Sequence, residues 1–477
     1  MASLKKNSIY NTLLNICNVI YPLITAPYLA RVLDPDGIGL FNFATTYANY
    51  FALIAVLGIP IYGIRAVAKV REDKEALNNV VSELITISLI STIVVTAVYL
   101  LTLLIVNKLH ESFILFLVAG IVIYLAPLRI NWYYQGVEKF GFITARTLII
   151  RVLSIVALFV FVKSKGDVVI FVLIYVLGTV IGDFWNYLKL RGDGINPRIK
   201  ITGLKIHMRP VLLLFTSSVA ISIYTVLDTV MLGFMSDYAE VGYYNSASYM
   251  SKAIVTFVTS ISAVLVPRVS YYFEKGLKDE IDSLIEKSFS FLSFIALPSA
   301  IGLFCIGPVF VPLFLGDGFR GSIIPLQILS FLVLSIGLNN FLGTQVLVGL
   351  GKDSHFMRAV IIGALANFAM NGLLIPYFGA NGASVSSLIA ETIIALVMVF
   401  MVQKYTFIRI KLNQEMLLSL LFSLCFIPIT YILSLYTTGW LFVAVATICC
   451  GSFYILAQRI VKNSSLMVAL SMLSKKA

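Results

Sequence analysis

The sequence predicts an all-α integral membrane protein of about fourteen transmembrane helices. Three observations predict it: bulk hydropathy, the alternation of basic residues between loops, and polar stripes inside apolar runs. Of 477 residues, 59% are hydrophobic and 12% charged, and the mean hydropathy is +0.96. A soluble domain carries roughly 45–50% apolar and about 25% charged residues. That contrast excludes a soluble enzyme, a secreted disulfide scaffold and a disordered chain.

Apolar runs, bounded by Gly, Pro and charge, fall at 8–30, 37–63, 80–106, 112–133, 142–162, 168–188, 210–232, 239–266, 288–312, 322–349, 356–376, 382–402, 414–434 and 440–458. Each suffices for a span, since an apolar helix needs about 20 residues to cross a bilayer. With the N-terminus inside, 27 of the 35 Lys and Arg residues fall in inner loops and tails, and 5 in outer loops. That split follows the positive-inside rule and predicts that both termini are cytoplasmic. The net charge of +12 is thus a topology signal, and no nucleic-acid partner is expected. The first run, flanked by Lys5 and Lys6, reads as an uncleaved signal anchor.

The longest loops, 189–209 and 267–287, are too short to be a catalytic domain. No GxxxxGK[ST] motif occurs, and the fragment Gly349–Lys352 lacks the spacing that cradles phosphate. Cys17, Cys305, Cys425, Cys449 and Cys450 lie in apolar runs and read as buried free thiols. His110, His207 and His355 are far apart, so neither metal nor another cofactor is expected. The stretch 275–287 has Leu277, Ile281, Leu284 and Ile285 at helical spacing and reads as a short amphipathic surface helix.

Aligned polar groups cost free energy on a lipid-facing helix. Five spans carry them: Asn11, Asn15, Asn18, Pro22 and Thr25; Asn42, Thr45, Thr46 and Asn49; Thr144, Thr147, Arg151 and Ser154; Asn245, Ser248, Lys252, Thr256 and Thr259; Ser384, Ser387 and Glu391. One stripe is readily hydrogen-bond glue between helices. Five predict a shared polar cavity. Pro22 and Pro27 predict a bend in the first span.

GLFNFATTY (39–47) aligns with GYYNSASYM (242–250) at an offset of 203, which also pairs Asp34 with Asp237 and Asn49 with Lys252. The match predicts two pseudo-repeated six-helix bundles, 1–190 and 210–403, around a central cavity. A basic cytoplasmic linker, 191–209, joins them, and two extra helices with a cytoplasmic tail follow at 404–477. Both halves start on the same side, so the repeat is parallel.

Charges inside spans are functional suspects. The basic ones are Arg129, Arg151 and Lys252, and the acidic ones Asp183, Asp228 and Glu391. They can form neutral structural pairs, or the cations can line the cavity. Arg129 lies near a helix end and can snorkel. Asp228 is out of level with Lys252 by near 9 Å of helix rise, whereas Glu391 is closer in depth. Uncompensated cations on a cavity wall suit an anionic substrate, and Arg matches phosphate oxygens. The candidate substrate-binding set is therefore Arg31, Asn42, Asn49, Arg129, Arg151, Asn245 and Lys252. Asp183, Asp228 and Glu391 are candidates for coupling to H⁺ or Na⁺.

The stretch 349–391, with Gly351, Gly363, Asn367, Asn371, Pro376, Gly379, Gly382, Ala383 and Glu391, resembles spans eleven and twelve of the polysaccharide-type (Wzx-like) flippases. These belong to the multidrug/oligosaccharidyl-lipid/polysaccharide exporter superfamily. LFLGDGFRGSIIPLQILS (313–330) and YPLITAPYLARVLDPDGIGLFNFA (21–44) are similar to two further parts of that family, so the resemblance covers essentially the whole chain. It implies a non-enzymatic flippase that moves an undecaprenyl-pyrophosphate-linked oligosaccharide repeat unit across the inner membrane by alternating access. The pathway would be that of O-antigen, capsule or exopolysaccharide. Membrane lipids, a polymerase and a chain-length regulator would be its partners. One rival is a cation-coupled multidrug exporter, a branch with twelve spans and an acidic residue in the first helix, whereas residues 8–30 contain no Asp or Glu. A membrane enzyme of glycan assembly is the other, and it would need a large external loop.

Overall fold

The computed structural model of the chain describes residues 4–262, 266–410 and 413–467, without the side chains of 4–20, 260–262, 266–268 and several between 217 and 225. Asn11, Asn15, Asn18 and Cys17 therefore lie outside the described side chains. Among the described residues every regular element is helical. Among the described residues, nine helices or helix groups are long and apolar enough to cross a membrane, ten if the bent pair Phe113–Tyr124 and Ala126–Gly136 is one span. Two of these, Tyr21–Val70 and Asp353–Tyr405, have 50 and 53 residues. At about 1.5 Å per residue each is more than twice the roughly 30 Å of hydrocarbon. The expected fourteen is therefore not a simple count of the nine.

Chain contacts divide the protein into two compact units, Met1–Phe234 and Met235–Ala477. In the first, α1 (Leu4–Val56) leaves helical geometry at Asp34, with φ 56° and ψ 174°. The break lies between the predicted spans 8–30 and 37–63, directly before Pro35, whose ring disfavours helical geometry in the preceding residue. The helices α2 (Ile59–Val70), α3 (Lys74–Ile105), α4 (Asn107–His110), α5 (Phe113–Ala119), α6 (Ile121–Tyr124) and α7 (Asn131–Gly136) follow. Then come α8 (Phe140–Phe161), α9 (Val168–Gly192) and α10 (Leu204–Met235). Asp73 caps α3 by accepting from the N–H groups of Glu75 and Ala76, as an exposed N-terminus requires.

One core joins α2, α3 and α7 through Val67, Leu84, Trp132 and Tyr134, with Ile195 and Val211. The start of α10, expected to open the second bundle, packs on this core. The opposite faces of α3 and α8 expose Ile93, Leu104, Val152 and Leu153 by 59–63%. Such apolar exposure suits hydrocarbon, because backbone polar groups are satisfied within each helix.

The second unit contains α11 (Tyr238–Ser262), α12 (Val266–Glu274), α13 (Lys278–Leu315), α14 (Ile323–Ser330) and α15 (Leu332–Asn339). A π-helical stretch, Asn340–Val348, leads to α16 (Asp353–Tyr405), and α17 (Gln414–Leu424), α18 (Phe426–Tyr436) and α19 (Gly439–Ile460) complete it. The amphipathic stretch 275–287 is mostly the first turns of the 38-residue α13, with Ile281 and Ile285 buried, and not a separate surface helix. α16 breaks at Gly379, where φ is 51°. The Glu240 carboxylate accepts from Ala380 N–H at 2.6 Å and so caps the second half of α16. The last helices pack on α13 through Ile301, Phe426, Cys450 and Tyr454. Of the described cysteines, all free, Cys450 is buried, while Cys449 is exposed and Cys305 and Cys425 intermediate. On helices beside lipid a thiol need not be buried in protein.

Candidate functional site

Two polar constellations form inside the first unit. The first lies on α1, α8 and α9. Arg151 Cζ sits 5.6 Å from the centroid of the Tyr21 ring, within cation–π range. Asn49 donates to the Tyr175 hydroxyl at 3.5 Å. Tyr21 feels the charge of Arg151 and also interacts with Tyr175, which brings the four side chains into one neighbourhood. All four are partly exposed, and Tyr175 is 38% exposed. Phe41 extends the aromatic wall, stacking on Phe171 at 4.0 Å and meeting Tyr175 edge-on at 5.4 Å. Chemically, this face offers one guanidinium, phenol hydroxyls, an amide and flat rings. It can bind an anion and the hydroxyl-rich, apolar-faced rings of sugars.

The second constellation is buried. Arg129 follows a 3-10 turn and faces Asp183 at 3.6 Å, with side-chain exposures of 25% and 6%. Arg146, on the second turn of α8, is 6% exposed. It donates to Gly182 O at 2.8 Å and to Asn131 Oδ1 at 3.2 Å. Asn186 donates to the same Asn131 oxygen at 2.9 Å, and Tyr134 OH donates to Asn186 O at 2.7 Å. Two guanidinium groups thus flank one buried carboxylate across α7, α8 and α9. Arg146 is a residue that sequence reasoning missed, because it was counted with Lys139 as an inner-loop cation although run 142–162 contains it. Asp183 and Asn186, three apart on α9, were the signal that a buried cation stood opposite.

The remaining sequence candidates are dispersed. Arg31 is exposed just before the α1 break and donates to Pro27 O at 3.3 Å. Asn42 and Thr45 are each 7% exposed, and Thr45 donates to Phe41 O at 2.7 Å. Asp228 is buried, in electrostatic contact with Tyr50. In the second unit, Asn245 is partly buried and donates to Val241 O at 3.0 Å. Lys252 is exposed on α11, and Thr256 donates to its carbonyl oxygen at 2.8 Å. Glu391 is 8% exposed; the Asn339 amide donates to its carboxylate at 2.6 Å and to its carbonyl at 3.0 Å. Ser384 is fully buried and donates to Ala380 O, while Ser387 meets the Tyr244 hydroxyl at 3.0 Å. The stripe on α16 is therefore packed inside its unit, as hydrogen-bond glue is.

Known proteins give this arrangement a setting. A putative O-antigen transporter of Escherichia coli K12 is 26% identical over 410 residues, covering 84% of this chain and 97% of the relative. A probable low-salt glycan biosynthesis flippase, Agl15 of Haloferax volcanii, is 21% identical over 419 residues, 86% of each chain. Among solved structures, the lipid II flippase MurJ in an inward closed conformation superposes with a TM-score of 0.78 at 16% identity, over 95% of this chain and 98% of that one. An inward-facing multidrug resistance MATE transporter gives a TM-score of 0.61 at 15% identity, over 79% and 92%. These likenesses establish a shared all-helical membrane fold. A family model described as polysaccharide biosynthesis protein matches residues 4–273, more than half of the sequence, and the chain belongs to that family.

Proposed function

We propose that this protein is a flippase for a lipid-linked oligosaccharide, acting in polysaccharide biosynthesis without catalysing a covalent step. The observation that carries the reading is the partly exposed face of Arg151, Tyr21, Asn49 and Tyr175, on helices long and apolar enough to cross a membrane. A guanidinium suits the phosphate of a lipid carrier, and the aromatic and amide groups suit sugar rings. Relatives named as O-antigen transporter and glycan flippase, aligned over more than four fifths of the chain, support the same class of cargo. The MATE-like fold is shared with drug exporters, so the fold alone does not separate the two; the sequence relatives favour the glycan lipid.

The finer reading is an undecaprenyl-pyrophosphate-linked repeat unit, taken from the cytoplasmic leaflet of a bacterial inner membrane and released outside by alternating access. Arg151 and Lys252 would be its principal cations, with Arg31, Asn42, Asn49 and Asn245 as neighbouring contacts. Arg129, beside Asp183, would order the α7–α9 region, and a coupling ion would use Asp228 or Glu391. A polymerase and a chain-length regulator would act downstream. Deleting the gene should leave lipid-linked units synthesised but facing the cytoplasm. If the lipid-linked unit were not made at all, a biosynthetic enzyme would be the better reading.

A further inference from the structure

The segment between α9 and α10 is held along its length. Ile195, 1% exposed, is anchored in the first unit's core. The chain then runs along the first turns of α3. Asn196 N–H donates to Asn78 Oδ1 at 2.9 Å, Arg198 N–H to Ser82 Oγ at 3.1 Å, and Lys200 N–H to Thr86 Oγ1 at 3.0 Å. The register has a geometric cause. Two extended residues advance about 6.6 Å, and four helical residues about 6 Å, so alternate amides meet every fourth side chain.

The strap ends in a latch. Lys200 Nζ lies 3.0 Å from Glu83 Oε1, and His207 Nε2 lies 2.9 Å from Glu83 Oε2. The Tyr62 hydroxyl closes the set at 2.8 Å from His207 Nδ1. Gly203 passes Glu83 at φ +89°, where an added Cβ would lie 2.6 Å from Oε1.

With one edge committed to α3, Ile199 and Ile201 project from the strap at 74% and 75% exposure. Ile206, on the first turn of α10, is 77% exposed. Pro197 occupies an alternate position with no N–H to offer a pairing strand. Arg198, Lys205 and Arg209 are exposed on the same short stretch. Depth then decides what meets this face. α3 has 32 residues, about 48 Å, against roughly 30 Å of hydrocarbon. Its polar excess is at the N-terminal end, around Lys74, Glu75 and Asn78, while Ile105 at the other end is 67% exposed. Ser82 to Thr86, and the strap bonded to them, therefore lie at the boundary of hydrocarbon and headgroups.

We propose that residues 195–209 form an interfacial lipid contact. Ile199, Ile201 and Ile206 enter the acyl–headgroup boundary, and Arg198, Lys205 and Arg209 bind the phosphates of anionic lipids. The strap is thereby held by α3 on one side and by the bilayer on the other. The inference needs only a membrane-embedded chain, so its failure would leave the flippase reading untouched.

The test uses the full chain in nanodiscs of phosphatidylglycerol and phosphatidylcholine. An environment-sensitive fluorophore on Ile201→Cys, with the native cysteines replaced, should be quenched by spin-labelled lipid more than by aqueous iodide. The reverse order overturns the proposal. In the unsubstituted chain, the amides of 199 and 201 should exchange more slowly in these nanodiscs than in detergent; equal exchange also overturns it. Replacing Arg198, Lys205 and Arg209 by Gln should lower phosphatidylglycerol enrichment about fivefold per residue, equivalent to about 1 kcal/mol each. Unchanged enrichment would refute the headgroup contact.

Discussion

Replacing Arg146 should unfold the first unit more readily than replacing any other membrane cation. The side chain is 6% exposed and makes two hydrogen bonds, at 2.8 Å to Gly182 O and 3.2 Å to Asn131 Oδ1. A hydrogen bond from a charged donor is worth about 1.5–3 kcal/mol, and leaving a buried partner unsatisfied costs a further 1–3 kcal/mol or so. Asp183 would keep Arg129 at 3.6 Å, which softens the loss. Removing one member of a buried ion pair costs about 3–5 kcal/mol when no second cation remains, so Arg146→Ala should cost about 3 kcal/mol. Arg146→Lys keeps the charge but not the planar fork, and should cost about half as much. Arg151→Ala, by contrast, removes a partly exposed cation–π contact worth about 1 kcal/mol or less. Equilibrium unfolding of the purified variants in mixed detergent micelles measures all three. Equal stability of Arg146→Ala and Arg151→Ala would refute the separation into a structural network and an accessible face.

The same separation predicts transport. Arg151→Ala and Lys252→Ala should each cut glycan export more than about fivefold at normal membrane abundance, from a charge-assisted contact worth over about 1 kcal/mol. Asn49→Ala should be milder, losing a neutral bond of about 0.5–1.5 kcal/mol, and Lys252→Arg should keep much of the activity. Glycan at the cell surface, normalised to protein level, reads all four. Gly379→Ala should destabilise the second unit by more than about 1 kcal/mol, because residue 379 sits at φ +51° and a Cβ would lie 2.4 Å from Glu240 Oε2. Thermal unfolding checks this. A single cysteine at position 475 should resist an impermeant maleimide in intact spheroplasts and react after permeabilisation, as cytoplasmic termini require.

The fold class was legible in the sequence because hydropathy is a bulk property and needs no partner residue to be interpreted. Local chemistry was harder to read. Asn78, Ser82 and Thr86 form a four-residue-spaced stripe like those assigned to a cavity, yet they bind the backbone of 196–200. Spacing reports that a helix face needs polar partners, but not whether those are substrate, loop or neighbouring helix. Arg151 and Asn49 were identified as candidates, whereas Tyr21 and Tyr175 were not, because aromatic residues are common in membrane spans. Arg146 was counted among the inner-loop cations although run 142–162 contains it, since a loop cation and a buried one near a helix start look alike in sequence. The break of α1 at Asp34 falls between the runs 8–30 and 37–63, where Pro35 and the charged residues Arg31, Asp34 and Asp36 interrupt the apolar sequence.

A flippase moves its lipid-linked oligosaccharide between leaflets. Purified protein should be reconstituted into vesicles carrying a lectin-binding oligosaccharide on a polyprenyl pyrophosphate, and accessibility to external lectin followed after external sites are capped. Capped vesicles should regain lectin binding with the intact protein and lose that recovery with Arg151→Ala/Lys252→Ala. Recovery at the protein-free rate, with folded protein present, would contradict the flippase reading.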